Sequence, residues 1–245
     1  MEDLKITGYG KANGGSYNKI SINGFGEIVE NVNCNTFKGT GSAKIKGNIE
    51  TNDLKFTGDI DIEGFCNVNN LDLTGRLEIK NDAKLTKIDS SGDISVLGNL
   101  NTDDLLVNGT LYCYGNITGE DIVVNGEITV KNELCAENVS IKSNNVEINE
   151  LHAEKITIKK PFTLGLWKSR VNINEIECTT IDAEVLICKK LCAHNVKLSK
   201  KCVILVMLNK NNKYRQVINY ADDTQMVRLE ARYRYLEADP PDSRR

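Results

Sequence analysis

A glycine stands at every seventeenth residue over seven repeats: Gly24, Gly41, Gly58, Gly75, Gly92, Gly109 and Gly126. With 19 glycines in 245 residues, that run marks an internal repeat. A short fixed period restricts the chain to stacked architectures, because each unit must bury its apolar face on its neighbours.

Apolar columns keep the same step. One reads Ile20, Phe37, Leu54, Leu71, Ile88, Leu105, Ile122, Val139 and Ile156; another reads Ile28, Ile45, Ile62, Ile79, Val96, Cys113 and Val130. A third runs Val32, Ile49, Cys66, Ala83, Leu100, Ile117, Leu134 and Leu151. Weaker columns lie two residues away: Ile22, Phe56, Leu73, Val107 and Val124, interrupted by Gly39 and Ser90, and Ala43, Ile60, Leu77, Ile94, Leu111 and Ile128. Apolar residues two apart are the strand period, so each repeat holds three short strands. Between them lie Gly, Asn and Asp, which tolerate turns. The glycine column forms one corner. Gly47, Gly64, Asn81, Gly98, Gly115 and Asn132 form a second; the third is polar, with Thr36, Asp53, Asn70, Lys87, Asp104, Asp121 and Asn138.

The fold expected is all-β: a single-stranded, right-handed parallel β-helix of triangular cross-section with about 17 residues per rung, followed by a short C-terminal helix. Left-handed β-helices are built from hexapeptides, so the seventeen-residue rung points by analogy to right-handed coiling. At about 4.8 Å per rung, residues 20–158 make a rod roughly 40 Å long. Outward positions are polar, with Asn23, Thr40, Thr57, Thr74, Ser91, Asn108 and Asn125 on one ladder and Lys46, Glu63 and Lys80 alternating in sign on another. One rung alone buries too little to offset the ordering of its residues, so rungs are stable only against each other and the two ends remain open edges.

Four regions follow. Residues 1–19 are an N-terminal rung with the Gly-rich loop "GYGKANGGS", its Leu4 and Ile6 lying sixteen before Ile20 and Ile22. Residues 20–160 are the regular β-helix. Residues 161–208 hold less regular rungs after the interruption "KKPFTLGLWKSR", with Ile181 and Leu198 again seventeen apart. Residues 209–245 are a tail in which "DDTQMVRLEARYRYLEA" reads as a helix: Asp223 or Thr224 caps it, Met226, Leu229, Tyr233 and Leu236 share a face, and Pro240 and Pro241 end it.

Little chemistry is visible. There is no phosphate-binding glycine motif, so no nucleotide or other cofactor is expected. The formal net charge of −3 gives no footprint for nucleic acid, and the Arg/Tyr-rich tail reads as a solvated helix. No apolar stretch is long enough to span a bilayer, and the start "MEDLKITGYG" lacks the apolar core of a signal peptide, so a cytoplasmic location is expected, with its eight cysteines mostly as thiols. Cys135 and His152 are seventeen apart and should be outward neighbours; a Cys–His pair can form a nucleophile, but a flat face offers no pocket. Cys178, Cys188, Cys192, His194 and Cys202 are soft ligands without the CxxC spacing of strong zinc sites, and buried thiols are the better account. No metal and no enzymatic activity are expected. The linkers are too short to build a substrate groove, which counts against a β-helical carbohydrate-active enzyme or carbohydrate-binding protein, the main alternative.

"MEDLKITGYGKANGGSYNKISINGFGEI", followed by "GSAKIKGNI", resembles the opening of the bactofilin-type polymer-forming proteins of Firmicutes. The resemblance spans roughly residues 1–205. It implies a right-handed triangular β-helix, nucleotide-free self-assembly and a bacterial cytoskeletal scaffold, with end-rung apolar residues making filament contacts. The polymerisation surface expected is Leu4 and Ile6 at one end and Val203, Ile204, Leu205, Val206 and Leu208 at the other. The expected partners are further copies of the chain and, at the inner face of the membrane, membrane-associated or cell-wall proteins; nucleic acid and small-molecule substrates are not expected. The chain departs from the family after Leu208, so its tail is expected either to assist or to block assembly, the latter giving a non-polymerising relative.

Overall fold

The computed structural model describes residues 1–161, 170–208, 216–219 and 227–228. In chain order the strands are β1 (Glu2–Ala12), β2 (Gly15–Ile28), β3 (Val32–Ile45), β4 (Ile49–Ile62), β5 (Cys66–Ile79), β6 (Ala83–Val96), β7 (Leu100–Asn101), β8 (Asp104–Cys113), β9 (Ile117–Lys142), β10 (Asn145–Lys159), β11 (Arg170–Leu208), β12 (Gln216–Asn219) and β13 (Val227–Arg228). From β1 to β11 successive turns pair in parallel, β7 and β8 together forming one turn between β6 and β9, giving a β-solenoid of about 12 turns, with no helix in the described part. Partners through the regular part are seventeen apart: Leu54 sits on Leu71, Leu71 on Ile88, Ile88 on Leu105. Leu4 and Ile6 pair with Ile20 and Ile22, as the sixteen-residue step requires. The strands are longer than expected, because pairing continues unbroken round the glycine corner; β4 alone runs fourteen residues.

Each turn points three pairs of side chains inward. In one turn these are Leu54 and Phe56, Ile60 and Ile62, and Cys66 and Val68, all buried. The third strand, for which the sequence shows a single apolar column, also has a second inward position: Leu85 is buried beside Ala83. That sixth column reads Cys34, Thr51, Val68, Leu85, Thr102, Gly119 and Ala136, too mixed to signal a core by hydropathy. Its threonines solve their own burial. Thr51 Oγ1 donates toward the Asn35 and Asp53 carbonyls at 3.3 and 3.2 Å, and Thr102 Oγ1 does the same to Thr86 and Asp104. At Gly39 the break is filled by the tilted pair Phe37–Phe56, with ring centroids 6.2 Å apart. At Ser90 it is not: the side chain is fully buried between Leu73 and Val107, and Oγ has no hydrogen-bond partner.

The glycine column is a steric requirement. Gly75 has φ +131, and a Cβ there would lie 2.2 Å from the Gly58 carbonyl oxygen. Where the column ends, the corner opens. Ser143 takes the next place, and four residues rather than three separate the inward Ile141 from Val146. Ser143 Oγ bridges the gap, accepting from Asn145 N and donating to Asn145 O, both at 2.9 Å. One turn later the same corner carries the insertion at 160–169, and partners become twenty-five apart, as in Ile156 on Ile181.

After the insertion the period does not return to seventeen. Lys190 meets Glu175, Lys197 meets Asp182 and Ser199 donates to the Glu184 carbonyl, each fifteen apart. The inward residues agree, with Ile176 and Cys178 followed by Leu191 and Ala193. The expected seventeen-residue match of Ile181 to Leu198 is therefore replaced by a shorter turn in which every corner has two residues. Beyond Leu208, β12 and β13 lie antiparallel on the last turns: Val203, Ile204 and Met207 face Asn219, Ile218 and Gln216, and Lys197 and Leu198 face Arg228 and Val227. The helix expected over 222–238 falls largely outside the described residues, and the two of its residues that are described, Val227 and Arg228, are extended.

Two substitutions test this core. Ser90→Val removes an orphaned buried hydroxyl and should stabilise the protein by about 1–2 kcal/mol in denaturant melts; a loss of stability would show that the cavity cannot take the extra methyl. Gly75→Ala should destabilise by ~2 kcal/mol or more, through both the clash and the positive φ; a neutral result would place the corner wrongly.

Candidate functional site

Three places expected to matter can be located directly. The residues proposed for polymerisation lie in the first and last turns and are not brought together. Ile6 and Ile204 are buried, Leu4 packs partly against the core, Val203, Val206 and Leu208 are half-buried, and Leu205 is 50% exposed. The outer edge of β1 pairs with no other described strand, whereas β12 and β13 bond to the last turns.

Cys135 and His152 are register partners on adjacent turns, as their spacing predicts. Cys135 is exposed. His152 Nε2 stands 3.8 Å from both Glu133 Oε1 and Glu150 Oε2, so the imidazole is flanked by carboxylates on its own turn and the one before. Among the described residues no group of three or more His, Cys, Asp or Glu has metal-holding geometry. In the second cysteine cluster, Cys178, Cys188 and Cys202 are buried and Cys192 half-buried. Burial pushes the thiols of Cys113 and Cys202 up to about 11 and that of Cys188 to about 12, and also raises Cys34 and Cys66. Thiols held protonated at neutral pH are poor nucleophiles and poor metal ligands.

A fourth place was not expected. Two neighbouring outward columns flank the second corner. In the early turns they carry ion pairs: Glu27 with Lys46 at 2.8 Å and Lys11 at 3.2 Å, Lys44 with Glu63 at 3.0 Å, and Arg76 with Glu78 at 2.8 Å and Asp61 at 3.1 Å. The anticipated Lys46–Glu63–Lys80 ladder is only half present: Lys80 reaches Glu63 at 4.0 Å, while Lys46 turns to Glu27. From Ser95 onward the same columns change character. Leu97 and Tyr114 are 44% and 59% exposed, and Tyr112, in the neighbouring column between Ser95 and Thr129, is half-buried. Above them lies a shallow groove of about 340 Å³, lined by Val130, Lys131, Glu147, Ile148, Asn149, Asn172 and Asn174.

The groove has a local cause. Up to Val130 the second corner places three residues between inward positions, as from Cys113 to Ile117. From Ile148 onward it places two, and the pairing shifts register between Ile148 and Glu150. The upper turns are thereby drawn in over a wider ledge at Lys131. Lys131 Nζ bonds Glu147 Oε1 at 2.7 Å, and Asn174 Nδ2 donates to Asn149 Oδ1 at 2.9 Å. The sequence signal existed, since Ile148 to Leu151 is one residue shorter than Val130 to Leu134, but the hydropathy columns absorbed it.

Corner ladders were also missed. Asn48 N bonds Asn31 Oδ1, Phe65 N bonds Asn48 Oδ1, Asn99 N bonds Asp82 Oδ1 and Asn116 N bonds Asn99 Oδ1, at 2.7–2.9 Å. Each side chain satisfies the amide of the turn above it.

Thiol chemistry separates inside from outside. In the folded protein, a disulfide reagent should modify Cys135 rapidly and Cys192 more slowly, while the other six react only on denaturation. Reaction of further thiols at the Cys135 rate would show that the inward columns are open to solvent. Comparison with known proteins finds no matching family model, no matching curated protein and no matching solved structure.

Proposed function

We propose that the chain is a non-enzymatic structural scaffold of the bactofilin type, a cytoplasmic protein that assembles into cytoskeletal filaments through end contacts of a right-handed, triangular β-helix, without nucleotide. One observation carries this reading. The edge of β1, eleven residues long, pairs only with β2 among the described residues, and an open edge of that length is a template for another strand. The sequence resemblance in residues 1–205 points the same way. Its partners are further copies of itself, with membrane-associated or cell-wall proteins recruited along the rod.

A second reading rests on the other end. β12 and β13 occupy main-chain groups that a further parallel turn would need. In this version residues 209–245 hold the C-terminal end closed, assembly proceeds through the N-terminal edge alone, and the product is a closed pair.

Light scattering and negative-stain microscopy of the full chain and of residues 1–208 decide between them. Filaments from the full chain support the first reading. A dimer that becomes filamentous on removing 209–245 supports the second. Strict monomers from both at high concentration refute self-assembly.

A further inference from the structure

We propose that the face running from Leu97 to Ile187 is a binding site for an extended, uncharged oligosaccharide. The inference does not depend on self-assembly. It rests on a change of chemistry along one pair of outward columns. The early turns fill these columns with Lys–Glu pairs and with Asp61 and Glu78, both reached by Arg76 from outside them, which is how a solvated β-face satisfies itself. Beyond Lys80 the columns carry Leu97, Tyr112 and Tyr114, then a polar recess in which Lys131–Glu147 is the ion pair, then Ile187, 46% exposed at the far end. Apolar groups thus stand at both ends of an amide-lined groove. At about 4.8 Å per turn, the strip is roughly 24 Å long, enough for several sugar rings laid along the axis.

The polar inventory selects the ligand. Asn149, Asn172 and Asn174 supply planar amides, and Glu147 with Lys131 supplies a carboxylate and an ammonium within 2.7 Å of each other. These groups pair with vicinal hydroxyls, while the tyrosine rings offer flat apolar surface to the C–H face of a sugar. Glu150 accepts from the groove's Asn149 Nδ2 at 3.5 Å, and Lys131, the one cation among the described lining residues, is already matched by Glu147, so the site does not favour phosphate or carboxylate polymers. A small apolar ligand is disfavoured by the polar lining. An extended peptide is disfavoured for a different reason. The main-chain groups at 146–148 are paired with turns on both sides, so no strand can be added here, and the usual source of affinity for extended peptides is absent.

The test is calorimetry and saturation-transfer NMR on the full chain with neutral tetraoses of β-1,4-glucose, β-1,4-N-acetylglucosamine and α-1,4-glucose, and with a tetragalacturonate as the charged counterpart. At least one neutral tetraose should bind. Tyr114→Ala and Asn172→Ala should each weaken it about tenfold or more, with unchanged melting. Tyr9→Ala, which removes an aromatic stacked on Phe25 in the first turns, should leave binding as it was. Three results would overturn the assignment: no neutral tetraose bound at millimolar concentration, equal affinity for tetragalacturonate, or binding indifferent to Tyr114 and Asn172. A peptide that competes for Tyr114 when no tetraose binds would transfer the site to a protein partner.

Discussion

Turn-on-turn contact of the backbone is the constraint from which the remaining structure follows. Every residue in the regular part sits on one seventeen positions earlier, so the local environment of a side chain is set by its column and not by its sequence neighbours. The contact is closest at the glycine corner, where no Cβ fits beneath the next carbonyl. That explains why one residue type repeats there without exception while the core columns vary freely among Ile, Leu, Val, Phe, Cys and Ala. A core side chain has neighbours that can adjust in volume; a backbone carbonyl two ångströms away cannot adjust.

The same contact disciplines the outside. Like residues stacked in register either bond each other or repel. Asparagine columns bond: Asn35 to Asn18, Asn69 to Asn52, Asn125 to Asn108. Charged columns cannot; Glu133, Glu150 and Glu175 stack as like charges, whereas at Glu27 the signs are staggered, with lysines above and below. Each such exposed pair contributes little on its own.

Much of this was legible because periodicity is a global signal. Seven glycines and three apolar columns fix the register of more than a hundred residues at once, and the pairing of Leu4 with Ile20 and of Cys135 with His152 follows by counting. What hydropathy could not show was a column whose burial is decided by hydrogen bonding, as at Thr51 and Thr102, or by smallness, as at Ala136. Nor could it show a change of period. A corner that gains one residue at 142–145 and loses one at 149–150 leaves the turn length unaltered, so the columns still align on either side of it. The fifteen-residue turns after 170 were misread for a related reason. Strand alternation makes residues fifteen and seventeen apart equally apolar, and only side-chain pairs such as Lys190–Glu175 separate them.

Departure from the period is also where a site can form. A uniform solenoid presents flat faces of constant width, and a flat face holds a ligand poorly because it removes little of it from water. Concavity requires two adjacent turns of different outline. Here the outline changes at one corner, between Val130 and Ile148, and the recess at Lys131 is its direct result. The same turns lose the column glycine, gain the bridging Ser143 and precede the insertion, so the strict repeat is relaxed on two corners within two turns. Relaxation of this kind costs the close backbone stacking that the glycine column provides. Its turns are paired on both sides, which sets it apart from the fraying expected of terminal turns. The amides Asn149, Asn172 and Asn174 gather at that step, and the exposed Tyr114 stands on the last regular turn beneath it.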